Sequence, residues 1–410
     1  MRFHVLGLGP IGSLVSHHLC KTLDPTKHNI VLIHKSVSQL HKANLAGNKL
    51  KVEREGVVET STAFRSEVFL AEKQLRYERR QAKLHAHETL ESENDTTQHT
   101  LPIESLIVAV KAYSVVNAVK ALVPRLTPNS TIVLLHNGMG VHERLVEDIF
   151  RNPDQRPQFI VASNNHGAWN KDVFHTVHAG VGSITFGIVA DPRGRNFEAS
   201  FMGEDDPDPE RLLSLDDIMS PQDDNPAYLP LRDTVAALSN LTGLNTTWKP
   251  ISHVETAMKR KLVVNSVVNP LTALLGCRNG DLLESEEFQR IMKRVCFEAA
   301  EAFAMQAQQE KGPWDQKQRA DIRSGFSRVS PALTSRALEE ECLRVLTVTA
   351  ANISSMLSDV RSGNFTEIDY TAGYLVGLGR SLGLPMITTT TLLNLVKLRT
   401  TIPLDCLSYK

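Results

Sequence analysis

The sequence predicts an α/β protein, with an N-terminal Rossmann-like doubly wound sheet followed by an all-α C-terminal domain. Three observations predict it. A glycine turn, GLGPIG, joins a strand pattern to a helix pattern at the N-terminus. Short apolar runs then alternate with helical segments, as in a parallel sheet with helices on both faces. Beyond about residue 250 strand signals stop and long helical patterns take over.

The chain opens with the strand FHVLGLG, and a helix is expected from about Ile11 to Thr22. NIVLIHKS (29–36) is the second strand. SLIVAVKA (105–112) precedes a helix at Ser114–Leu122, and STIVLLHNG (130–138) precedes one near Val141–Phe150. FIVAS (159–163) and SITFGIV (183–189) add two strands. These elements imply a dinucleotide-binding domain over 1–248 and a helical substrate-binding and catalytic domain over 249–410. Two stretches read as insertions. Residues 66–100 are charge-rich and suggest an exposed helix and loop. Residues 192–228 are acidic and Pro-rich, a composition expected to bury too little apolar surface to join a core.

The 410 residues carry a formal net charge of −1, which gives no electrostatic case for nucleic acid as a partner. Five cysteines, at 20, 277, 296, 342 and 406, show no CxxC and no metal-ligand spacing. They read as reduced thiols of an intracellular protein. No apolar run approaches the ~20 residues of a membrane span. MRFHVLGLG enters a strand at once, so no presequence is expected and the cytoplasm is the expected location. His166, His175 and His178 fix no coordination geometry, and no metal is expected. Trp169 and Trp248 are expected to pack rather than to stack on a ligand.

Gly7, Gly9 and Gly12 have the spacing and the strand-to-helix context of a dinucleotide turn. Gly7 allows the tight turn, Gly9 a close approach to pyrophosphate, and Gly12 close helix–strand packing. Pro10 and Ile11 open the helix whose N-terminus faces the phosphates. An NAD site usually has Asp or Glu at the end of the second strand. Here that corner is His34-Lys35-Ser36; a basic corner suits a 2′-phosphate, so NADP(H) is expected.

KLVVNSVVNPLTALLG (261–276) is apolar except for a few polar residues. At ~100° per residue, Lys261, Asn265, Asn269 and Thr272 lie within about 80° of one another on a helix. Burying that stripe costs free energy unless something satisfies it, so it lines a polar cavity or pairs elsewhere in the fold. The Val pairs favour a strand by propensity, and Pro270 is expected to kink or end a helix near Asn269.

GLGPIGSL, VKAYSVVNAVKAL, HNGMG (136–140), NHGAW, VHAGVGSITFG, KLVVNSVVNPLTAL, NISSMLSDV (352–360) and TEIDYTAGYLVGLGRSLGLP (366–385) together resemble the ketopantoate reductase family. The resemblance runs to about residue 400, interrupted by the two insertions. It implies NADPH-dependent reduction of 2-dehydropantoate to pantoate, for pantothenate and coenzyme A synthesis. Residue by residue, it implies Lys261 as the general acid and Asn265 and Asn269 as substrate-binding. Ser355 would hold the substrate carboxylate, with Asn352 nearby. Glu367 would contact the substrate hydroxyl and the lysine. Asn137 would lie near nicotinamide and substrate, and Lys111 follows the third strand.

The chemistry agrees with that reading. Hydride delivery to a ketone builds negative charge on oxygen, which a lysine meets with charge and a proton. Asn352 and Ser355, at i and i+3, would share a helix face. The stripe then reads as the floor of a site facing the cofactor domain. The expected partner is a small 2-keto acid, and homodimerisation is left open by the sequence. Two alternatives differ in class: a reductase of another small 2-keto acid, and a non-catalytic family member serving as a dinucleotide-binding assembly or regulatory factor.

Overall fold

Runs of Val, Ile and Leu buried on both faces form the interior strands of one sheet. The computed structural model describes residues 1–68, 101–200, 213–220, 225–309 and 330–402. The strands are β1 (Arg2–Leu6), β2 (Asn29–His34), β3 (Leu50–Arg54), β4 (Val57–Ser61), β5 (Arg65–Val68), β6 (Ser105–Val108), β7 (Thr131–Leu134), β8 (Gln158–Asn164), β9 (Gly167–Asp172), β10 (His175–Gly180), β11 (Ile184–Ile188) and β12 (Thr246–Trp248). The helices up to residue 239 are α1 (Pro10–Thr22), α2 (Val37–Leu45), α3 (Ala112–Leu122), α4 (Val141–Asp148), α5 (Leu215–Ile218) and α6 (Leu229–Ser239). Then come α7 (Ile251–Leu275), α8 (Glu286–Gln309), α9 (Ser335–Val348), α10 (Ser355–Arg361), α11 (Ala372–Ser381) and α12 (Ile387–Thr401). No described helix is long and apolar enough to cross a membrane.

The chain forms two compact units. The first comprises Met1–His136 and His142–Val254, and the second Asn137–Val141 and Glu255–Lys410. In the first, eight strands lie in the order β12-β11-β8-β7-β6-β1-β2-β5. From β5 to β8 all neighbours are parallel, the 3-2-1-4-5-6 order of a dinucleotide-binding sheet. β11 returns antiparallel to β8. Phe3, Leu32, Ile107, Val133, Ile160 and Phe186 fill its core.

A second sheet, β4-β3-β10-β9, has no counterpart among the expected strands. Its outer strands are largely exposed. Trp169 on β9 is half-exposed, whereas Trp248 packs against the core.

Both expected insertions start closer to the core than their composition suggests. Ser66, Glu67 and Val68 belong to β5. Glu67 is buried and paired to Arg125, Oε1 to Nη1 at 2.7 Å. The expected helix and loop at 69–100 lie outside the described residues. Of the 192–228 stretch, the described flanks put Phe197, Ile218 and Tyr228 in the core. The Tyr228 hydroxyl donates to Asp191 Oδ2 at 2.7 Å, and Asp217 and Ser214 form a capping box on α5. Three well-placed apolar side chains outweigh the acidic average.

In the second unit, α7 runs through Pro270; of the two expected outcomes, a kink or an end, the end does not occur. Proline removes one backbone donor, and burial of Val263, Val267 and Val268 outweighs that cost and the strand propensity of valine. Ser266 Oγ and Thr272 Oγ1 donate to the carbonyls of Leu262 and Val268, bonds that let a helix bend. α7 packs with α8, α9, α11 and α12 around Met292, Phe303, Leu338 and Leu375.

Candidate active site

Polar side chains from four segments of the second unit surround about 240 Å³ of space open to solvent. Asn265 and Asn269 come from α7. Ser355, Met356 and Asp359 come from α10, and Glu367 and Thr371 from the turn before α11. Asn137 comes from the loop after β7. Three segments thus contribute polar pairs four residues apart. On the two helices that spacing puts both members on one face.

One turn before Asn265, the Lys261 ammonium donates to Asn137 Oδ1 at 2.9 Å. The loop bearing Asn137 is held by backbone. Met139 N–H donates to the Tyr370 carbonyl at 2.9 Å. Gly138 has φ +83°, and a Cβ there would lie 2.4 Å from the same oxygen. Only glycine fits so close an approach. Burial lowers the Lys261 pKa to about 8, and the Glu367 carboxylate partly opposes the shift. Burial disfavours the charged form and a nearby anion favours it.

The other sequence-predicted residues divide. Thr272 is fully buried and its hydroxyl meets Ser354 Oγ at 2.7 Å, so it ends the stripe as a structural contact. Ser354 caps α10, accepting from Leu357 N–H, which leaves Ser355 as the pocket serine. Asn352 does not share a helix face with Ser355, because the helix begins at Ser355. Asn352 is exposed in the preceding loop, its carbonyl accepting from Asn279 N–H, and it does not line the pocket. Met356, Asp359 and Thr371 were not expected in the site. Asp359 carried a signal, four residues after Ser355 in the quoted NISSMLSDV.

In the first unit, the glycine turn has the geometry its spacing implies. Gly7 has φ +103°, and a Cβ there would meet Val110 N at 2.6 Å. A Cβ on Gly12 would lie 1.8 Å from the Gly7 carbonyl oxygen. Gly9 faces open space, with nothing within 4 Å of a Cβ, and no side chain caps the helix there. Pro10 takes the first position of α1, followed by Ile11. This open, uncapped N-terminus fits a dinucleotide pyrophosphate. Lys111, half-buried, stands at the N-cap of α3.

The basic corner after β2 is smaller than expected. His34 is fully buried, its Nε2 3.1 Å from Ser66 Oγ and its ring beside Phe174. Burial lowers its pKa to about 4, so it is neutral at pH 7 and offers a phosphate no charge. Ser36 caps α2 by accepting from Gln39 N–H. The exposed Lys35 alone brings a cation from these three residues.

His166 and His178 hydrogen-bond each other, Nδ1 to Nε2 at 3.0 Å, and His166 Nε2 meets the Leu244 carbonyl. Among the described residues no group of three His, Cys, Asp or Glu could hold a metal.

Residues 3–191 match the family model described as ketopantoate reductase PanE/ApbA, and residues 253–400 match that for its C-terminal part. The 2-dehydropantoate 2-reductase of Yersinia pestis is 30% identical over 301 residues, 73% of this chain and 75% of that one. A probable 2-dehydropantoate 2-reductase of Schizosaccharomyces pombe is 23% identical over 396 residues, 97% and 95% of the two chains. Among solved structures, a PanE/ApbA-family ketopantoate reductase from Ralstonia eutropha superposes with a TM-score of 0.64 at 16% identity, covering 98% of this chain and 99% of that one. D-mandelate dehydrogenase with NADH and anilino(oxo)acetate gives 0.64 at 14% identity, covering 98% of each chain. These likenesses show the shared fold, and the family models and relatives carry the assignment: the chain belongs to the ketopantoate reductase family.

Proposed function

We propose that the protein reduces 2-dehydropantoate to pantoate with NADPH, a step toward pantothenate and coenzyme A, and that Lys261 is the general acid. The observation that carries this reading is the Lys261 ammonium, hydrogen-bonded to Asn137 beside a polar pocket, with its pKa lowered to about 8. A group with that pKa is still protonated at pH 7 and gives its proton more readily than an ordinary lysine.

A reduced nicotinamide dinucleotide, bound at the glycine turn, supplies the hydride. As the ketone carbon accepts it, the oxygen gains charge, which the ammonium stabilises and then neutralises by transferring one proton. The amine left behind regains a proton from solvent. Asn137 aims the ammonium. Asn265 and Asn269 orient the substrate without adding charge that would compete for its carboxylate, and Ser355 donates to that carboxylate. Glu367 keeps Lys261 protonated through its negative charge. Lys35 supports NADPH over NADH, because a cation beside a 2′-phosphate gains charge-assisted contacts.

The test mixes purified protein with NADPH and 2-dehydropantoate and follows nicotinamide absorbance. Turnover that disappears in Lys261→Ala is the expected result. A wild-type protein that consumes no NADPH with this substrate contradicts the reading.

A further inference from the structure

Thr371 stands at the N-cap of α11, where a threonine hydroxyl ordinarily accepts from the second or third N–H of its helix. Here it makes no such cap. It turns back and donates to the carbonyls of Glu367 and Ile368, each at 3.3 Å, a shared bond of the kind found at helix ends. The side chain is 2% exposed and lines the pocket. A threonine that forgoes its cap gives up a stabilising contact, and what it gains is a hold on the turn before it.

That turn carries two parts of the Lys261 setting. Ile368–Tyr370 form a single tight turn, closed by Tyr370 N–H to the Glu367 carbonyl at 3.0 Å and by Thr371 N–H to the Ile368 carbonyl at 3.3 Å. Just before it is Glu367, whose charge opposes the effect of burial on Lys261. At its end is the Tyr370 carbonyl, which accepts from Met139 N–H and so holds the loop of Asn137, the acceptor of the Lys261 ammonium. Thr371 comes next, and its hydroxyl ties the far end of the turn to the near end. If the turn loosens, carboxylate and loop shift together.

We propose that Thr371 is a positioning residue for the reaction: its hydroxyl holds together the Glu367 carboxylate and the Asn137 loop, which both act on the Lys261 ammonium. This rests on the reading of Lys261 as the general acid and adds the residue that sets it in place. Other charged groups surround the ammonium. Lys259 and Arg260 precede it on α7, Arg260 pairing with Glu341 of α9 at 2.8 Å, and Asp359 lines the pocket with Glu367. Among them Glu367 is the charge that raises the Lys261 pKa, so a shift of that carboxylate is read in the pH profile.

The experiment compares wild type, Thr371→Val and Thr371→Ser in the reduction of 2-dehydropantoate by NADPH across pH 6 to 10, beside thermal melts. Valine keeps the shape and loses the hydroxyl; serine keeps the hydroxyl and loses the methyl. Thr371→Val should lose about 10- to 100-fold in kcat, because a small misplacement of a reacting group costs up to ~10²-fold. Its KM should change little. Its falling limb in kcat/KM should move to lower pH, because a displaced carboxylate supports the ammonium less. Thr371→Ser should recover most of kcat and the wild-type limb. Thr371→Ala makes the same deletion with less bulk and decides the matter if the valine variant does not fold. A serine variant as impaired as the valine one overturns the proposal, since packing would then be the cause. So does a valine variant with wild-type kcat, one whose limb does not move, or one whose loss lies in KM alone, and the reductase reading survives each of these. A wild type that consumes no NADPH overturns both.

Discussion

An ordinary lysine loses its proton near pH 10.5, and Lys261 loses it at about 8. Reduction uses the protonated form. The rate should therefore hold on the acidic side of pH 8 and fall as pH rises through it, where an unshifted lysine would hold for some two more units. A kcat/KM profile that stays flat to pH 10 contradicts the assignment. Glu367→Gln removes the charge that raises this pKa, so the falling limb should move to lower pH. Lys261→Ala should lose roughly 10²–10⁴-fold in kcat with the fold retained, read by steady-state kinetics beside circular dichroism. For the cofactor, Lys35→Asp should raise KM for NADPH far more than for NADH, and an unchanged NADPH preference would move the phosphate contact elsewhere. At this scale, the sequence shows the members of a helical stripe but not their depth or partners. Helical period grouped Lys261, Asn265, Asn269 and Thr272 on one face, and only the family resemblance marked the first three as site residues. The buried settings of Thr272 and His34 were not legible, because a hydroxyl or imidazole can be satisfied inside the fold and the letter does not say where.

Among the elements, α1 offers a paired test. Gly12→Ala would put a methyl against the Gly7 carbonyl, and displacing backbone should cost about 1–3 kcal/mol or more. Gly9→Ala meets only open space, so stability should barely change while the Kd for NADPH rises, because the methyl fills the phosphate cradle. Denaturant melts and cofactor titration on both variants separate the effects, and tight NADPH binding by Gly9→Ala would argue against the cradle. Replacing 192–228 by a short linker should destabilise the protein, because Phe197, Ile218 and Tyr228 leave the core. Ile218→Ala alone should cost about 2–5 kcal/mol. The parallel strands were legible as apolar runs. β3, β4, β9 and β10 were hidden because their alternation is weak and their pairing joins 50–61 to 167–180, a proximity no local pattern encodes.

For the molecule as a whole, buried neutral histidines set the response to acid. Burial lowers the pKa values of His4, His18 and His34 to about 3, 4 and 4, first among their causes. Unfolded, each titrates near 6.5, so below that pH the unfolded chain binds more protons than the native one. Their contribution is fully present above about pH 7, is lost progressively as pH falls below 6.5, and reaches its limit below pH 3–4. Urea midpoints at pH 7.5, 6 and 5 should fall in that order. A midpoint independent of pH over this range would mean that these rings are not buried in the native state.

The bond from Lys261 to Asn137 spans 124 residues. On a ribosome adding about 5–20 residues per second, the acceptor leaves the decoding centre roughly 6–25 s before its donor. Tyr370, whose carbonyl holds Met139, is translated later still. A nascent chain therefore carries the HNGMG loop with neither partner made until residue 261 is added. Lys261, the proposed general acid, gains its setting only once residue 370 is made, so products stalled or terminated before it should bind nucleotide at best and reduce nothing.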